Sequence, residues 1–247
     1  MQLSLLDQFE PTPDAAFRSV LRRDLGQGAW VEYAPAWLSG HLRFMDELIA
    51  TCDWQRHRRN MYDRIVEVPR LVAAAPGSKR SMDWNLAEVE LQRSRATPEH
   101  IECASRRVAE LGAILSVRYG RVLSNISLGY YRDGSDSVSF HGDKLGTLRS
   151  DTVVAIVSVG DPRRFLLRPV GGGRSCSFRF GAGDLLVMGG SCQQTFEHAV
   201  PKMQGAGPRV ALMFREELPK LAPARHRITV EDRPLSAAGS NFQTTKW

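Results

Sequence analysis

Cysteine is scarce and scattered in this chain. Its 247 residues hold four, Cys52, Cys103, Cys176 and Cys192, and none forms a CxxC pair. That excludes a zinc ribbon, a thioredoxin-type redox motif and a small disulfide scaffold. Long apolar runs are missing too: the longest, Val153 to Val159, has the length of a strand and not of a membrane span. Met1 to Asp7 carries no basic residue and too short an apolar stretch for a signal peptide. A reducing cytoplasm is therefore the expected compartment, with no membrane among the partners. There is no Gly-x-Ser-x-Gly elbow and no P-loop, so neither points to nucleophilic hydrolysis or nucleotide hydrolysis. No internal repeat or long low-complexity segment suggests a solenoid or a disordered array. What the chain does have is 43% hydrophobic and 24% charged residues, enough for a real core. Its 33 Lys+Arg against 27 Asp+Glu give a net charge of +6, an excess that suits an anionic partner such as nucleic acid.

Punctuation divides the chain. Residues 1–27 lack sustained periodicity, and Pro11, Pro13 and Gly26 interrupt a polar stretch, which reads as a flexible tether. Ala29 to Tyr33 alternates as a strand. After Ser39, an expected N-cap, Leu42, Met45, Leu48, Ile49 and Cys52 recur at helical spacing. A second helix starts at Thr97-Pro98 and carries the stripe Ile101, Ala104, Val108, Leu111 and Leu115. The arginine-rich region between them, Trp54 to Arg95, reads as irregular. From Ile126 onward short apolar runs recur at Val153–Val159, Phe165–Leu167, Ser177–Phe180, Leu185–Met188 and Val210–Phe214. They are separated by Gly160-Asp161-Pro162, Gly171-Gly172-Gly173 and Gly181-Ala182-Gly183-Asp184. Helices first and a small all-β barrel second predict one α+β domain over residues 28–217, followed by a loosely packed tail over 218–247.

Two features carry chemistry. His141-Gly142-Asp143 puts an imidazole and a carboxylate on the same side of an extended chain, and His198 follows after several predicted strands. Two His and one carboxylate on one face of a metal are the ligands of non-haem iron(II) oxygenases. The triplet alone says little, because His and Asp are common enough for it to arise by chance. The second feature is Arg209-Val210-Ala211-Leu212-Met213-Phe214-Arg215, which alternates strictly. Val210, Leu212 and Phe214 face one side; Arg209, Ala211, Met213 and Arg215 face the other. Two inward arginines are costly without anions, and a spacing of about 20 Å lets them serve opposite ends of a short dicarboxylate. The alternative is that they sit at wet strand ends and pair with Asp133, Asp136 or Asp143.

Together these residues resemble the AlkB-like family of iron(II)- and 2-oxoglutarate-dependent dioxygenases. The resemblance runs from about Gly28 to Arg215 and rests on Tyr131-Arg132-Asp133-Gly134, His141-Gly142-Asp143, Gly183 to Met188, His198 and the Arg209/Arg215 pair. Met61-Tyr62-Asp63-Arg64 with Val68-Pro69-Arg70 resembles the nucleotide-recognition lid of bacterial members. The resemblance implies a double-stranded β-helix (jelly-roll) core over about 121–217, with N-terminal helices and a lid over about 54–80. It implies iron(II) held by His141, Asp143 and His198, and 2-oxoglutarate held by Arg209 and Tyr131. Arg215 would stand near the other carboxylate of the cosubstrate and brace Asp143. With dioxygen, such a site hydroxylates an N-methyl group on a base, and the adduct collapses to formaldehyde. Departures are Gly129, Ala211 and Met213, where the family has polar contacts to 2-oxoglutarate, and Leu145, where many members carry an acid that reads the base.

The expected partner is alkylated DNA, or RNA, handled by a monomer. Trp54, Arg56, His57, Arg58, Arg59, Tyr62, Arg64, Pro69 and Arg70 mix cations with rings, arginines for phosphates and a ring for stacking on a base. Lys79 and Arg80 extend this patch. The bland alternative is a solvated basic loop with Trp54 and Tyr62 in the core. Gln2, Leu3, Leu5 and Leu6 resemble the short motif by which bacterial repair proteins dock on the sliding clamp. Two other functions fit less of the sequence: a 2-oxoglutarate-dependent hydroxylase of a protein or small molecule, and a non-catalytic nucleic-acid-binding module.

Overall fold

Strict alternation in the second half of the chain builds two facing sheets, and the first half covers one of them. The computed structural model describes residues 10–61, 64–78, 88–143 and 151–216. Strands β1 (Thr12–Pro13), β2 (Leu21–Gly26), β3 (Ala29–Ala34) and β4 (Leu38–Ser39) lead to helix α1 (His41–Thr51). Strands β5 (Trp54–Met61), β6 (Arg64–Glu67), β7 (Leu71–Ala74) and β8 (Glu88–Gln92) precede helix α2 (Pro98–Tyr119). Then come β9 (Asn125–Tyr131), β10 (Val138–His141), β11 (Thr152–Gly160), β12 (Arg163–Pro169), β13 (Cys176–Phe180) and β14 (Asp184–Gly190). A single turn, α3 (Cys192–Thr195), separates these from β15 (Phe196–Val200) and β16 (Arg209–Arg215).

The large sheet runs β2-β3-β14-β11-β16-β9-β7-β5-β6, with β8 added on β5; the small one runs β10-β15-β12-β13. From β9 to β16 the chain passes repeatedly between the two sheets, which is the winding of a double-stranded β-helix. The expected α+β jelly roll is thus the fold. Every residue of β11 is buried, because it is central and covered on both faces. Val153, Ala155, Val157 and Val159 point to the helices, where they join Leu48, Leu111, Leu115, Leu212 and Phe214. Val154 and Ile156 point between the sheets, with Phe165, Leu167, Phe180, Leu186 and Met188. The site lies between those sheets.

Three local expectations need correction. The segment read as a tether is built into the fold from Glu10: β2 pairs along β3 from Leu21↔Tyr33 to Gly26↔Ala29, and Asp14 accepts from Arg18 N at 2.7 Å. It escaped the periodicity test because β2 is an exposed edge strand that buries no stripe. Ser39 does not cap α1. It lies in β4, its hydroxyl donates to the Thr12 carbonyl at 3.1 Å, and the cap position belongs to Gly40 at φ 64, a left-handed conformation that glycine adopts without cost. The region Trp54–Arg95 is not irregular where described: Trp54 to Arg58 pair with β8 and Arg58 to Met61 with β6. Helix α2 begins as its punctuation predicts, with the Thr97 hydroxyl accepting from His100 N and Pro98 in the first turn.

Candidate active site

The metal-ligand candidates come from neighbouring strands of the small sheet. Register sets His141, at the end of β10, directly opposite His198 in β15, with ring centroids 4.3 Å apart. Asp143 follows two residues later, and its backbone N–H donates to the Gln193 side chain at 2.9 Å. Residue 142 must be small there, since a Cβ would stand 3.0 Å from the Gln193 carbonyl oxygen. Ligand atoms of His141, Asp143 and His198 all lie within 4.8 Å of one another. His141 Nδ1 is 2.8 Å from the Ser139 carbonyl, which can only accept, so the hydrogen sits on Nδ1 and the Nε2 lone pair is left for a metal. Phe165 stacks on His198 with centroids 5.4 Å apart and fixes its ring.

Electrostatics keep the three in ligand form. Burial alone would raise the Asp143 carboxyl, but Arg215 and then His198 reverse the sign and hold it well below the usual carboxylate range. Arg215 grips Asp143 with two N–H groups, Nε to Oδ2 at 3.0 Å and Nη2 to Oδ1 at 3.3 Å, and gives a third to Ser127 Oγ at 2.7 Å. Burial pushes the His198 imidazole down to about 3 despite the pull of Asp143, and burial also lowers His141. Two neutral imidazoles and one carboxylate on one side suit iron(II).

Beside this group lies a pocket of buried cations. Arg209, 1% exposed, donates through Nε to Ser158 Oγ at 2.5 Å, and its Nη1 has no partner. Its guanidinium lies 4.9 Å from the Tyr131 ring. Burial pushes it down to about 10, helped by the nearby charges of Arg163 and Arg70. Both of these also face the Tyr131 ring, at 5.7 Å and 5.9 Å. A buried guanidinium with an unused N–H can donate to an anion, so the pocket fits one end of a dicarboxylate. Among the described residues no carboxylate pairs with Arg209, whereas Arg215 does pair with Asp143.

The sequence candidates separate into three groups. His141, Asp143, His198, Tyr131, Arg209 and Arg215 come together between the sheets. Arg70, expected at the substrate surface, is instead 9% exposed and donates through Nη1 to the Tyr131 hydroxyl at 3.2 Å. Trp54 is corrected: it is buried, donates to the Ile49 carbonyl at 3.1 Å and packs 5.2 Å from the Tyr130 ring, so its face cannot stack on a base. Pro69 is half-buried, and its carbonyl accepts from Ser137 N at 2.7 Å. Tyr62, Lys79, Arg80, Leu145, Gln2, Leu3, Leu5 and Leu6 and the tail lie outside the described residues, as do the side chains of His57, Arg59 and Arg64. The sequence reading missed Arg163, which donates to the carbonyls of Asp133 at 2.9 Å, Asp136 at 2.7 Å and Pro201 at 3.1 Å. Its phase with Phe165 and Leu167 was the signal. Gln193 was missed too, and a lone glutamine offers no pattern to find it by.

Comparison with known proteins agrees with this geometry. The model of the 2OG-Fe(II) oxygenase superfamily matches residues 31–236. An uncharacterized protein of Acanthamoeba polyphaga mimivirus is 33% identical over 95 residues, 38% of this chain and 49% of its own. The alpha-ketoglutarate-dependent dioxygenase alkB homolog 3 of Mus musculus is 34% identical over 106 residues, 39% of this chain and 37% of its own. The match thus spans about half or less of those curated relatives. A 2OG-Fe(II) oxygenase family oxidoreductase from Burkholderia pseudomallei superposes with a TM-score of 0.48 at 15% identity, over 75% of this chain and 84% of that one. Over part of its length this chain is similar to alkB homologues, and it belongs to the 2OG-Fe(II) oxygenase superfamily, whose cofactor is iron(II) and whose cosubstrates are 2-oxoglutarate and dioxygen.

Proposed function

We propose that this protein removes N-linked methyl groups from bases in DNA, or in RNA, by oxidation. The observation that carries the reading is the convergence of His141, Asp143 and His198 beside a buried arginine with an unused N–H. His141, Asp143 and His198 would hold iron(II), and Arg209 would take the far carboxylate of 2-oxoglutarate. When bound, iron(II) with 2-oxoglutarate and dioxygen supplies the oxidant that converts an N-methyl group to N-hydroxymethyl, yielding succinate and carbon dioxide. The protein's own residues position and insulate. Arg215 fixes the Asp143 carboxylate, Phe165 fixes His198, and the apolar wall of Phe165, Leu186 and Met188 keeps water out. Collapse of the hydroxymethyl adduct then frees formaldehyde and the unmodified base.

Nucleic acid as the substrate is supported by the net charge of +6, by the basic strand β5 and by the resemblance of the site residues to the AlkB-like family. Strands β5, β6 and β8 lie beyond β7 and β9 at one end of the large sheet, where they would act as a lid over the pocket. Arg58 is exposed there, and Arg56 lies 3.5 Å from Glu67. For a base within a duplex, extrusion into the pocket would precede the chemistry.

The test is the mass of single-stranded oligonucleotides, each carrying one N-methylated base, after incubation with protein, iron(II), ascorbate and 2-oxoglutarate. The mass of one methylene should disappear with the native protein and persist with Asp143→Ala. Consumption of 2-oxoglutarate without any change in the oligonucleotides would replace this reading with a hydroxylase of a protein or small molecule. No consumption would leave a nucleic-acid-binding module.

A further inference from the structure

The charge around the site is one-sided. Arg70, Arg163, Arg209 and Arg215 surround Tyr131 and the metal-ligand group; among the described residues Asp143 faces them at the ligand group, and Asp133 and Asp136 stand beside Arg163. Asp136, the other buried carboxylate near Tyr131, is occupied by Arg132, with bonds of 2.9 Å and 2.8 Å. Guanidiniums therefore outnumber carboxylates among the described residues around the site. Iron(II) and the dianion of 2-oxoglutarate bring charges that cancel, so the loaded site keeps the same excess.

Arg70 is the member best placed to meet a substrate. It lies just before β7, and its guanidinium donates to the Tyr131 hydroxyl. Its Nε is buried without a partner. Its Cδ would stand 3.9 Å from a Cβ on residue 129, so its chain covers the bare backbone of Gly129. Arg163 differs: three backbone carbonyls hold it. A guanidinium offers donors only, and it repels a cation nearby in a dry pocket.

Methylated bases fall into two chemical classes. Methylation of adenine at ring position 1 or cytosine at position 3 gives a cation flanked by an exocyclic amino donor. Methylation of guanine at position 1 or thymine at position 3 gives a neutral ring whose methylated nitrogen adjoins a carbonyl acceptor; cytosine also has a carbonyl, and guanine an amino group, beside that nitrogen, so charge is what separates the classes. We infer that the site selects the neutral class, and that Arg70 is the residue that selects it. This inference rests on the proposed demethylation of nucleic acid.

The chemistry points the same way. The N–CH3 carbon gains one oxygen atom from dioxygen, and the other enters succinate as 2-oxoglutarate loses carbon dioxide. When N–CH2OH collapses, the C–N bond breaks, formaldehyde leaves and its hydroxyl proton is released. From a cationic base the departing nitrogen becomes neutral. From the neutral class it departs as an anion with charge shared by the carbonyl oxygen, before taking up a proton. A guanidinium beside that oxygen stabilises the second departure and not the first.

The experiment uses four single-stranded oligonucleotides of one sequence, carrying 3-methylthymine, 1-methylguanine, 3-methylcytosine or 1-methyladenine. Affinity is read by fluorescence anisotropy without iron, and turnover by mass in a mixture of all four. The native protein should favour the two neutral lesions about tenfold in both readings, on the order of one unit-charge contact in a partly screened pocket. Arg70→Gln should bring that ratio near one, while Arg70→Lys should keep most of it. A ratio is independent of how much variant folds, and if neither variant folds the ratio of the native protein decides. Equal or better handling of the cationic lesions, or a ratio unmoved in Arg70→Gln, overturns the inference and leaves demethylation standing. If no lesion is bound better than unmodified DNA and none is demethylated, the proposed function falls and takes the inference with it.

Discussion

Asp143 depends on two neighbours that hold it from opposite sides. Arg215 takes the carboxylate oxygens, while the Gln193 side chain accepts from the backbone N–H at 2.9 Å. Gln193 Nε2 in turn lies 3.7 Å from Met188 Sδ, so this glutamine is held rather than free to rotate. It touches no ligand atom of the triad. Its loss should therefore act on metal retention through the position of Asp143. Gln193→Ala is expected to weaken iron(II) binding by roughly 10–100-fold, the usual cost of removing a group that orients a ligand, with little change in melting temperature of the metal-free protein. Anaerobic titration with iron(II) measures the first and a thermal melt the second. An unchanged affinity would mean that Gly142 and the β10–β15 register hold Asp143 unaided.

At the level of elements, β5 shows how sequence and burial can disagree. Tryptophan among arginines reads as a stacking platform, but Trp54 opens the strand at its inner end. There it closes the core between α1 and β9, with Ile49 and Tyr130 as neighbours. Trp54→Ala should then destabilise the fold by about 3–5 kcal/mol, as for other buried aromatic truncations, while the folded fraction keeps its affinity for oligonucleotides. Urea unfolding and anisotropy separate the two, and a loss of affinity without a loss of stability would restore the stacking role. The strands that were legible share one property: β11, β14 and β16 are central and bury both faces, so their apolar runs are unbroken. The illegible ones lie at or near the ends of the large sheet. β2 is polar and exposed, and β5 alternates charge with charge. What makes them strands is pairing with a distant partner, which local composition does not reveal.

Across the whole molecule the candidate site was more legible than the frame around it. The spacing of His141 and Asp143, and the alternation from Arg209 to Arg215, are local facts that a strand converts directly into geometry. Arg163 and Gln193 were hidden because their roles exist only once β12 lies beside β15 and α3 lies beneath Asp143. The same topology makes a testable mechanical statement. The metal-ligand group belongs to the small sheet, through β10 and β15, while Tyr131, Arg209 and Arg215 belong to β9 and β16 of the large one. Iron(II) and 2-oxoglutarate bound together would therefore link the two sheets, and their binding free energy would add to the stability of the whole domain. At a hundred times its dissociation constant a ligand adds about 2.7 kcal/mol, which for a chain of this size raises the melting temperature by roughly 5–10 °C. Under anaerobic conditions iron(II) alone should give part of that rise, and 2-oxoglutarate a further part that depends on iron. Arg209→Met should keep the first and lose the second, because the buried Nη1 that lacks a partner would no longer be there to take the far carboxylate. A 2-oxoglutarate increment that survives in Arg209→Met would place that carboxylate elsewhere, with Arg70 and Arg163 as the remaining buried cations able to receive it.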